Sequence, residues 1–195
     1  MTEPLQVILV DDDPAVLNSL EFMLTSYQLA VTPYLSGADF LAQTDLSQPG
    51  CVVLDSRMPG MTGQQLHQQM IEVNSPLSVV FLTGHGDVPM AVEAFKQGAC
   101  DFFQKPVAGK VLYDAVVTAH AASVTRHQSQ CDQRKLAALT EREQQILARV
   151  LQNQTNKQMA AELFVSVRTI EVQRATMMRK LEAENLLDLY RLSKC

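Results

Sequence analysis

The chain has 195 residues, 47% of them apolar and 19% charged, with eight Gly and eight Pro. That allows one large domain or two small ones and excludes a disordered, collagen-like or linker composition. The net charge of −5 is unevenly divided: residues 1–125 carry 13 acidic against four basic side chains, net −9, and residues 126–195 carry eight against 12, net +4. An acidic front and a basic tail suggest two domains with different partners, the tail being the candidate for nucleic acid.

The front alternates short apolar runs with helical patterns. The runs are Leu5–Val10, Ala30–Tyr34, Cys51–Leu54, Val79–Leu82 and Phe102–Phe103. Between the first two, Val16, Leu20, Met23, Leu24 and Tyr27 recur at helical spacing. Helix starts are signalled by Asp13-Pro14, by Ser36 with Asp39, by Thr62 with Gln65, and by Asp87 before Val88-Pro89. Five strands alternating with helices predict an α/β domain on a buried parallel sheet.

After Val107 a long helical pattern begins (Val111, Leu112, Ala115, Val116, Ala119). It runs into the polar stretch 126–135, which lacks Gly and Pro and reads as a helical or part-helical linker. From Thr140 onward the pattern is all helix, with capping boxes at Thr140/Glu143 and Thr155/Gln158 and helices expected over 141–151, 156–163, 167–181 and 186–193. The expected division is 1–125, a linker over 126–138, and 139–195.

No apolar stretch reaches the roughly 18 residues of a membrane span, and Met1–Val10 has no basic segment leading into an apolar one, so a cytoplasmic protein is expected. Cys51, Cys100, Cys131 and Cys195 stand apart with no C-x-x-C pair, as in reduced thiols without a zinc site. Cys51 and Cys100, among apolar neighbours, read as small core hydrophobes. His67, His85, His120 and His127 lack ligand spacing and read as surface or loop residues.

In an open parallel sheet, ligands bind beyond the carboxyl ends of the strands. There the sequence places Asp11 and Asp12 after the first run, Asp55 after the third, Thr83 after the fourth and Lys105 after the fifth. Carboxylates brought close repel unless a cation is shared, and Mg2+ takes one or two carboxylates with waters and a phosphoryl oxygen. A Thr hydroxyl and a Lys ammonium suit the other phosphoryl oxygens. The set predicts phosphoryl transfer onto a carboxylate. Any one of these Asp residues alone is more often a turn or cap, the reading kept for Asp13 and Asp87.

Val10-Asp-Asp-Asp-Pro, Leu54-Asp-Ser-Arg-Met-Pro-Gly60, Phe81-Leu-Thr-Gly-His-Gly-Asp-Val-Pro-Met-Ala-Val92 and Asp101-Phe-Phe-Gln-Lys-Pro106 resemble the receiver domain of two-component response regulators, particularly the FixJ-type branch. The resemblance covers residues 4–125 and implies a doubly wound, five-stranded, flavodoxin-like sheet. It implies Asp55 as phosphoacceptor, and Mg2+ held by Asp11, Asp12, Asp55 and the backbone carbonyl of Arg57. Thr83 and Lys105 would contact the phosphoryl group, Thr83 and Phe102 would form the switch, and Lys105-Pro106 would be cis.

In the tail, two helices joined by Phe164-Val165-Ser166 have helix-turn-helix spacing. On the second, Ile170, Met177, Met178 and Leu181 form an apolar stripe opposite Arg168, Glu171, Val172, Ala175 and Arg179. An outward Val flanked by Arg suits a major groove, though any three-helix core has two such faces. Leu139-Thr-Glu-Arg-Glu143, Asn156-Lys-Gln-Met-Ala-Ala-Glu-Leu163, Val167-Arg-Thr-Ile-Glu-Val-Gln-Arg174 and Met178-Arg-Lys-Leu181 resemble the LuxR-type four-helix DNA-binding domain. That implies base contacts by Glu171, Val172 and Ala175, phosphate contacts by Lys157, Arg168, Arg174, Arg179 and Lys180, and pairing through the last helix (Leu186, Leu187, Leu189, Tyr190, Leu192). Three positions depart from that family: Gln173 stands where His is usual, and Glu182 and Phe164 stand where Gly is common.

The expectation is a non-enzymatic regulator whose phosphorylation pairs receivers and promotes binding to double-stranded DNA. A sensor histidine kinase and a second copy are the implied partners, with RNA polymerase a further candidate and no membrane. The alternatives are a Mg2+-dependent aspartyl-phosphate phosphohydrolase, which has no use for the tail, and an interaction module that no longer takes phosphate.

Overall fold

A computed structural model of the chain describes residues 5–84 and 88–193. Two compact units divide at residues 127/128. The first contains β1 (Gln6–Val10), α1 (Pro14–Thr25), β2 (Ala30–Tyr34), α2 (Gly37–Gln43), β3 (Cys51–Leu54), α3 (Gly63–Glu72), β4 (Ser78–Thr83), α4 (Val88–Lys96) and β5 (Asp101–Gln104). Helix α5 (Gly109–Ala137) starts in this unit and continues past the division. Its unbroken course takes in the polar stretch read as a helical linker.

The strands form one parallel sheet in the order β2-β1-β3-β4-β5. The period of two along each strand sends alternate residues to opposite layers. Val7, Leu9, Cys51, Val53, Val80 and Leu82 pack with α1 and α5 through Leu17, Leu20, Leu24, Leu112, Val116 and Ala119. Val10, Val52, Leu54, Val79 and Phe81 pack on the other face with Phe40 of α2, Leu66 and Met70 of α3, and Ala94 of α4. Both faces are covered, which is why β3 and β4 are buried at every position and read as continuous apolar runs. Pro33 lies on β2, an edge strand, where a missing ladder donor is tolerated.

Several sequence expectations are corrected. The buried ridge of α1 is Leu17, Leu20 and Leu24, with Val16 and Met23 half-buried beside it. Tyr27 lies beyond the helix and stacks on Tyr113 at 4.7 Å between ring centroids. Thr83 is the last residue of β4 instead of following it, and β5 is four residues long. His67 is a buried α3 residue against Phe81, because position 67 falls on the core-facing side of that helix next to Leu66 and Met70. Cys51 is buried, which pushes its thiol pKa up, while Cys100 is half-buried. The expectations for His85, Asp87 and Cys195 lie outside the described residues.

The second unit holds α6 (Glu141–Leu151), α7 (Asn156–Glu162), α8 (Val167–Leu181) and α9 (Leu186–Leu192). Its core is Leu139, Ile146, Leu147, Val150, Met159, Leu163, Ile170, Met177, Leu181, Leu189 and Leu192. Met178, expected in the apolar stripe, is half-buried beside it. Capping boxes close the starts of α3, α6 and α7 as the sequence predicts, and a further one, Asn185 with Asp188, starts α9.

Helix ends follow a rule the sequence concealed. Residues with positive φ stand at Gln28, Asn74, Gly98, Asn153, Phe164 and Glu182. Each is followed by an N–H reaching back to a carbonyl five residues earlier: Leu29 to Leu24, Ser75 to Met70, Ala99 to Ala94, Gln154 to Arg149, Val165 to Ala160 and Ala183 to Met178. This is the Schellman closure, which satisfies the last orphan carbonyls of a helix and favours Gly at the left-handed position. Only Gly98 supplies Gly among these six; Asn74 and Asn153 are the next most tolerant type, and Gln28, Phe164 and Glu182 carried no local signal.

Candidate functional site

Strand order reverses between β1 and β3, and the carboxyl ends of those neighbouring strands carry Asp11 and Asp55. Both are nearly fully buried, at 4% and 6% exposure. Lys105, just beyond β5, donates to Asp11 Oδ2 and, at 2.9 Å, to Asp55 Oδ1. The backbone holds the other oxygens: Asp13 N–H donates to Asp11 Oδ1 at 3.0 Å, and Arg57 N–H to Asp55 Oδ2 at 2.6 Å. The peptide between Lys105 and Pro106 is cis, as the resemblance implied.

One ammonium between two buried carboxylates leaves the cluster with excess negative charge. Burial raises the Asp11 pKa, even though the Lys105 hydrogen bond, the Asp13 amide and the Lys105 charge all act to lower it. Burial also opposes the charge on Lys105, but the hydrogen bonds it donates to Asp11 and Asp55, with the charges of those carboxylates, outweigh it and raise the Lys105 pKa. The lysine is therefore firmly protonated, and the carboxylates remain under-compensated. Buried, hard oxygen donors with residual negative charge fit a Mg2+ ion.

The structure brings together two of the three expected carboxylates. Asp12 is exposed, because consecutive residues leaving a strand diverge, and among the described residues no three acidic, His or Cys side chains are grouped to share a metal. Asp13 caps α1 by accepting from Ala15 N–H at 2.8 Å. Thr83 is buried and accepts from Ser56 Oγ at 2.6 Å. Phe102 pairs with Phe81 across β4 and β5 and is half-buried, its ring centroid 6.1 Å from that of Phe81.

Two residues of this site escaped sequence reasoning. Ser56 is 1% exposed and ties the residue after Asp55 to Thr83; its only sequence signal is that it adjoins Asp55. Gly63 opens α3 with its N–H on Ser56 O at 3.1 Å, and a Cβ there would fall 2.2 Å from the Asp55 carbonyl oxygen. Only a residue without a side chain lets α3 approach the strand end so closely.

In the tail, Val172 is 59% exposed on α8, and Arg168, Glu171, Ala175 and Arg179 are exposed along that helix. Lys157, Arg168 and Arg179 form no ion pair among the described residues. The other two basic candidates are engaged within the tail. Arg174 donates to Asn156 Oδ1 at 3.1 Å, and Lys180 to Glu143 Oε2 at 2.7 Å. Glu143, read from sequence only as a capping residue, is thus also the buried anchor between α6 and α8. On α9, Leu189 and Leu192 complete the core, Tyr190 donates to Leu151 O at 2.6 Å, and Leu187, at 76% exposure, is the main apolar residue left outside. The helix is only seven residues long, and closing a small four-helix core consumes its inward face.

Residues 7–117 match the response regulator receiver domain family, and residues 137–193 match the luxR family of bacterial regulatory proteins. The tetrathionate response regulatory protein TtrR of Salmonella typhimurium is 45% identical over 94% of this chain and 89% of its own length. The transcriptional regulatory protein FixJ of Azorhizobium caulinodans is 40% identical over 99% and 93%. Among solved structures, the response regulator StyR superposes with a TM-score of 0.76 at 35% identity, covering 98% of each chain. Full-length FixJ from B. japonicum superposes with a TM-score of 0.59 at 37% identity, over 100% of this chain and 97% of its own. With a receiver sheet and a helix-turn-helix unit matched in order along nearly the whole chain, the protein belongs to the FixJ-type two-component response regulators, phosphorylation-controlled DNA-binding transcriptional regulators with a LuxR-type tail.

Proposed function

We propose that Asp55 is the phosphoacceptor and that its phosphorylation by a sensor histidine kinase promotes binding of the tail to double-stranded DNA. The observation that carries this is the buried Asp55–Lys105–Asp11 cluster at the strand-order reversal, with Thr83 and Ser56 at its side. A carboxylate oxygen of Asp55 attacks phosphorus, the bond to the donor imidazole nitrogen breaks, and that nitrogen keeps the electron pair. Lys105, already within reach of Asp55, offsets charge on the transferred group, and Thr83 offers a hydroxyl at the end of the adjacent strand. Asp11, Asp55, the exposed Asp12 and the Arg57 carbonyl would hold Mg2+, which would supply charge neutralisation to the phosphoryl group. The protein is the acceptor in this reaction and not a turnover catalyst.

Thr83 and Phe102 connect the site to the β4–β5 edge, and new charge at Asp55 that draws Thr83 inward changes the packing around Phe102. Pairing of two copies then raises the effective concentration of two readers on a two-half-site operator. On DNA, Glu171, Val172 and Ala175 face base edges, while Lys157, Arg168 and Arg179 meet phosphates. Arg174 and Lys180, held by Asn156 and Glu143, reach phosphates from fixed positions. Reading the operator in the cytoplasm next to RNA polymerase completes the scheme. The identity with a tetrathionate response regulator across both units supports tetrathionate as the stimulus of the partner kinase.

The test is labelling of full-length protein with radioactive acetyl phosphate, with and without Mg2+, followed by operator titration and light scattering. Label should need Mg2+ and vanish in Asp55→Ala, and labelled protein should gain mass and affinity. Intact labelling of Asp55→Ala would reject the assignment, and labelling without a change in mass or affinity would reject the coupling.

A further inference from the structure

The receiver unit contains a second polar site, at the end of the strands opposite to Asp55. A cavity of about 170 Å³ lies between α3, the entry to β4, the end of α4 and α5, lined among others by His67, Asn74, Ser75, Gln97 and Arg126. We propose that this cavity binds a small oxyanion, of the phosphate or short-carboxylate class, between Arg126 and His67.

Three observations support it. First, the lining contains a guanidinium and no carboxylate, and Arg126 forms no ion pair among the described residues. One of its nitrogens, Nη1, donates to the carbonyls of Pro76 and Leu77 at 3.3 and 3.2 Å. Those bonds fix the guanidinium at the cavity and leave its remaining N–H groups for an acceptor.

Second, His67 is 5% exposed, and its Nδ1 is buried with no partner. The imidazole lines the cavity, so Nε2 is the nitrogen available to an occupant. Carrying the proton on Nε2 spares the buried Nδ1 an N–H without acceptor, and makes His67 a second donor facing inward. Burial pushes the His67 pKa down and the nearby Arg126 charge adds to this, so the ring is neutral and the positive charge of the site resides on Arg126.

Third, the size suits a small polar guest. At roughly 30 Å³ per water, the 170 Å³ cavity has room for about six waters, enough for phosphate with residual water or for a four-carbon dicarboxylate. Its walls are held from outside. Ser75 Oγ donates to Leu46 O at 2.6 Å, Gln97 Nε2 donates to Glu93 Oε1 at 3.0 Å, and the His67 ring packs edge-on against Phe81.

The experiment is isothermal titration of full-length protein carrying Asp55→Ala, without Mg2+ and at constant ionic strength in chloride. The substitution removes the phosphoacceptor from the readout, so the outcome is independent of the function proposed above. Sodium phosphate is the ligand in one arm and sodium succinate in the other, which separates the two anion types. Saturable binding in at least one arm is expected. Arg126→Gln should weaken it about tenfold, the loss of one charge-assisted contact. His67→Phe, which keeps a ring against Phe81 but has no nitrogen, should weaken it by about threefold or more. Circular dichroism and the unfolding midpoint certify each variant as folded, and if Arg126→Gln fails that check, His67→Phe decides. No saturation in either arm, or unchanged affinity in a folded variant, overturns the proposal and leaves the cavity to water.

Discussion

Replacing Phe164 by Gly should make the DNA-binding unit more stable, although it deletes a large aromatic side chain. Phe164 closes α7 in the left-handed region at φ 53°, and its ring is 94% exposed, so almost no apolar burial is lost on removing it. The left-handed conformation costs an L-residue about 1–2 kcal/mol. Glycine avoids that cost but brings about 0.5–1 kcal/mol of extra unfolded-state entropy. The balance is a net gain of about 0.5–1 kcal/mol. For a domain of this size each kcal/mol moves the unfolding midpoint by about 4–8 °C, so a rise of roughly 2–8 °C is expected. Scanning calorimetry of the full-length protein, with amide exchange at Val165 and Leu163 to assign the transition to the tail, measures it. Phe164→Asn should fall between the two, since Asn tolerates positive φ better than Phe. A lower midpoint for Phe164→Gly, with the Val165 N–H still protected, would show that the ring contributes a contact that outweighs the backbone strain.

Gly63→Ala places a Cβ against the Asp55 carbonyl and must displace α3 or the strand end. Chemical denaturation should show a loss of about 1–3 kcal/mol, and labelling at Asp55 should slow. Ser123→Ala removes the hydroxyl that accepts from Gly50 N–H at 2.9 Å and donates to Pro76 O at 2.7 Å in a buried setting. The cost should be about 1–3 kcal/mol for the orphaned groups, read as a lower denaturation midpoint. The tail should lose stability in acid through Glu143, whose pKa is lowered by the Lys180 hydrogen bond and then by the Thr140 amide. Its contribution is complete above the unfolded Glu pKa of about 4.3 and disappears as pH falls below that through the depressed folded value. A pH series of unfolding midpoints should therefore flatten in Glu143→Gln below about pH 4 relative to wild type; parallel curves would remove Glu143 from the account.

Much of this architecture is fixed by local sequence. Runs such as Cys51–Leu54 and Val79–Leu82 are apolar at every position, which only a doubly covered parallel strand explains, and ordering them along the chain puts Asp11, Asp55, Thr83 and Lys105 at strand ends. Helix starts were legible because their chemistry is local: Thr62, Thr140 and Thr155 satisfy amides three residues away. Helix ends were less so, since only Gly98, Asn74 and Asn153 signal a left-handed closure, while Gln28, Phe164 and Glu182 have no local preference for it. Interactions between residues distant in sequence were equally hidden. Ser56 on Thr83, Glu143 on Lys180, Ser123 on Gly50 and the burial of His67 all depend on which helix face meets which strand. The sequence alone determined the two domains and the acidic pocket, because periodicity and strand-end chemistry are properties of neighbours along the chain. Only the tertiary structure decided that Lys105 bridges two carboxylates while Asp12 stays in solvent, and that α9 is consumed by its own core, because both depend on close packing between elements that the chain keeps far apart.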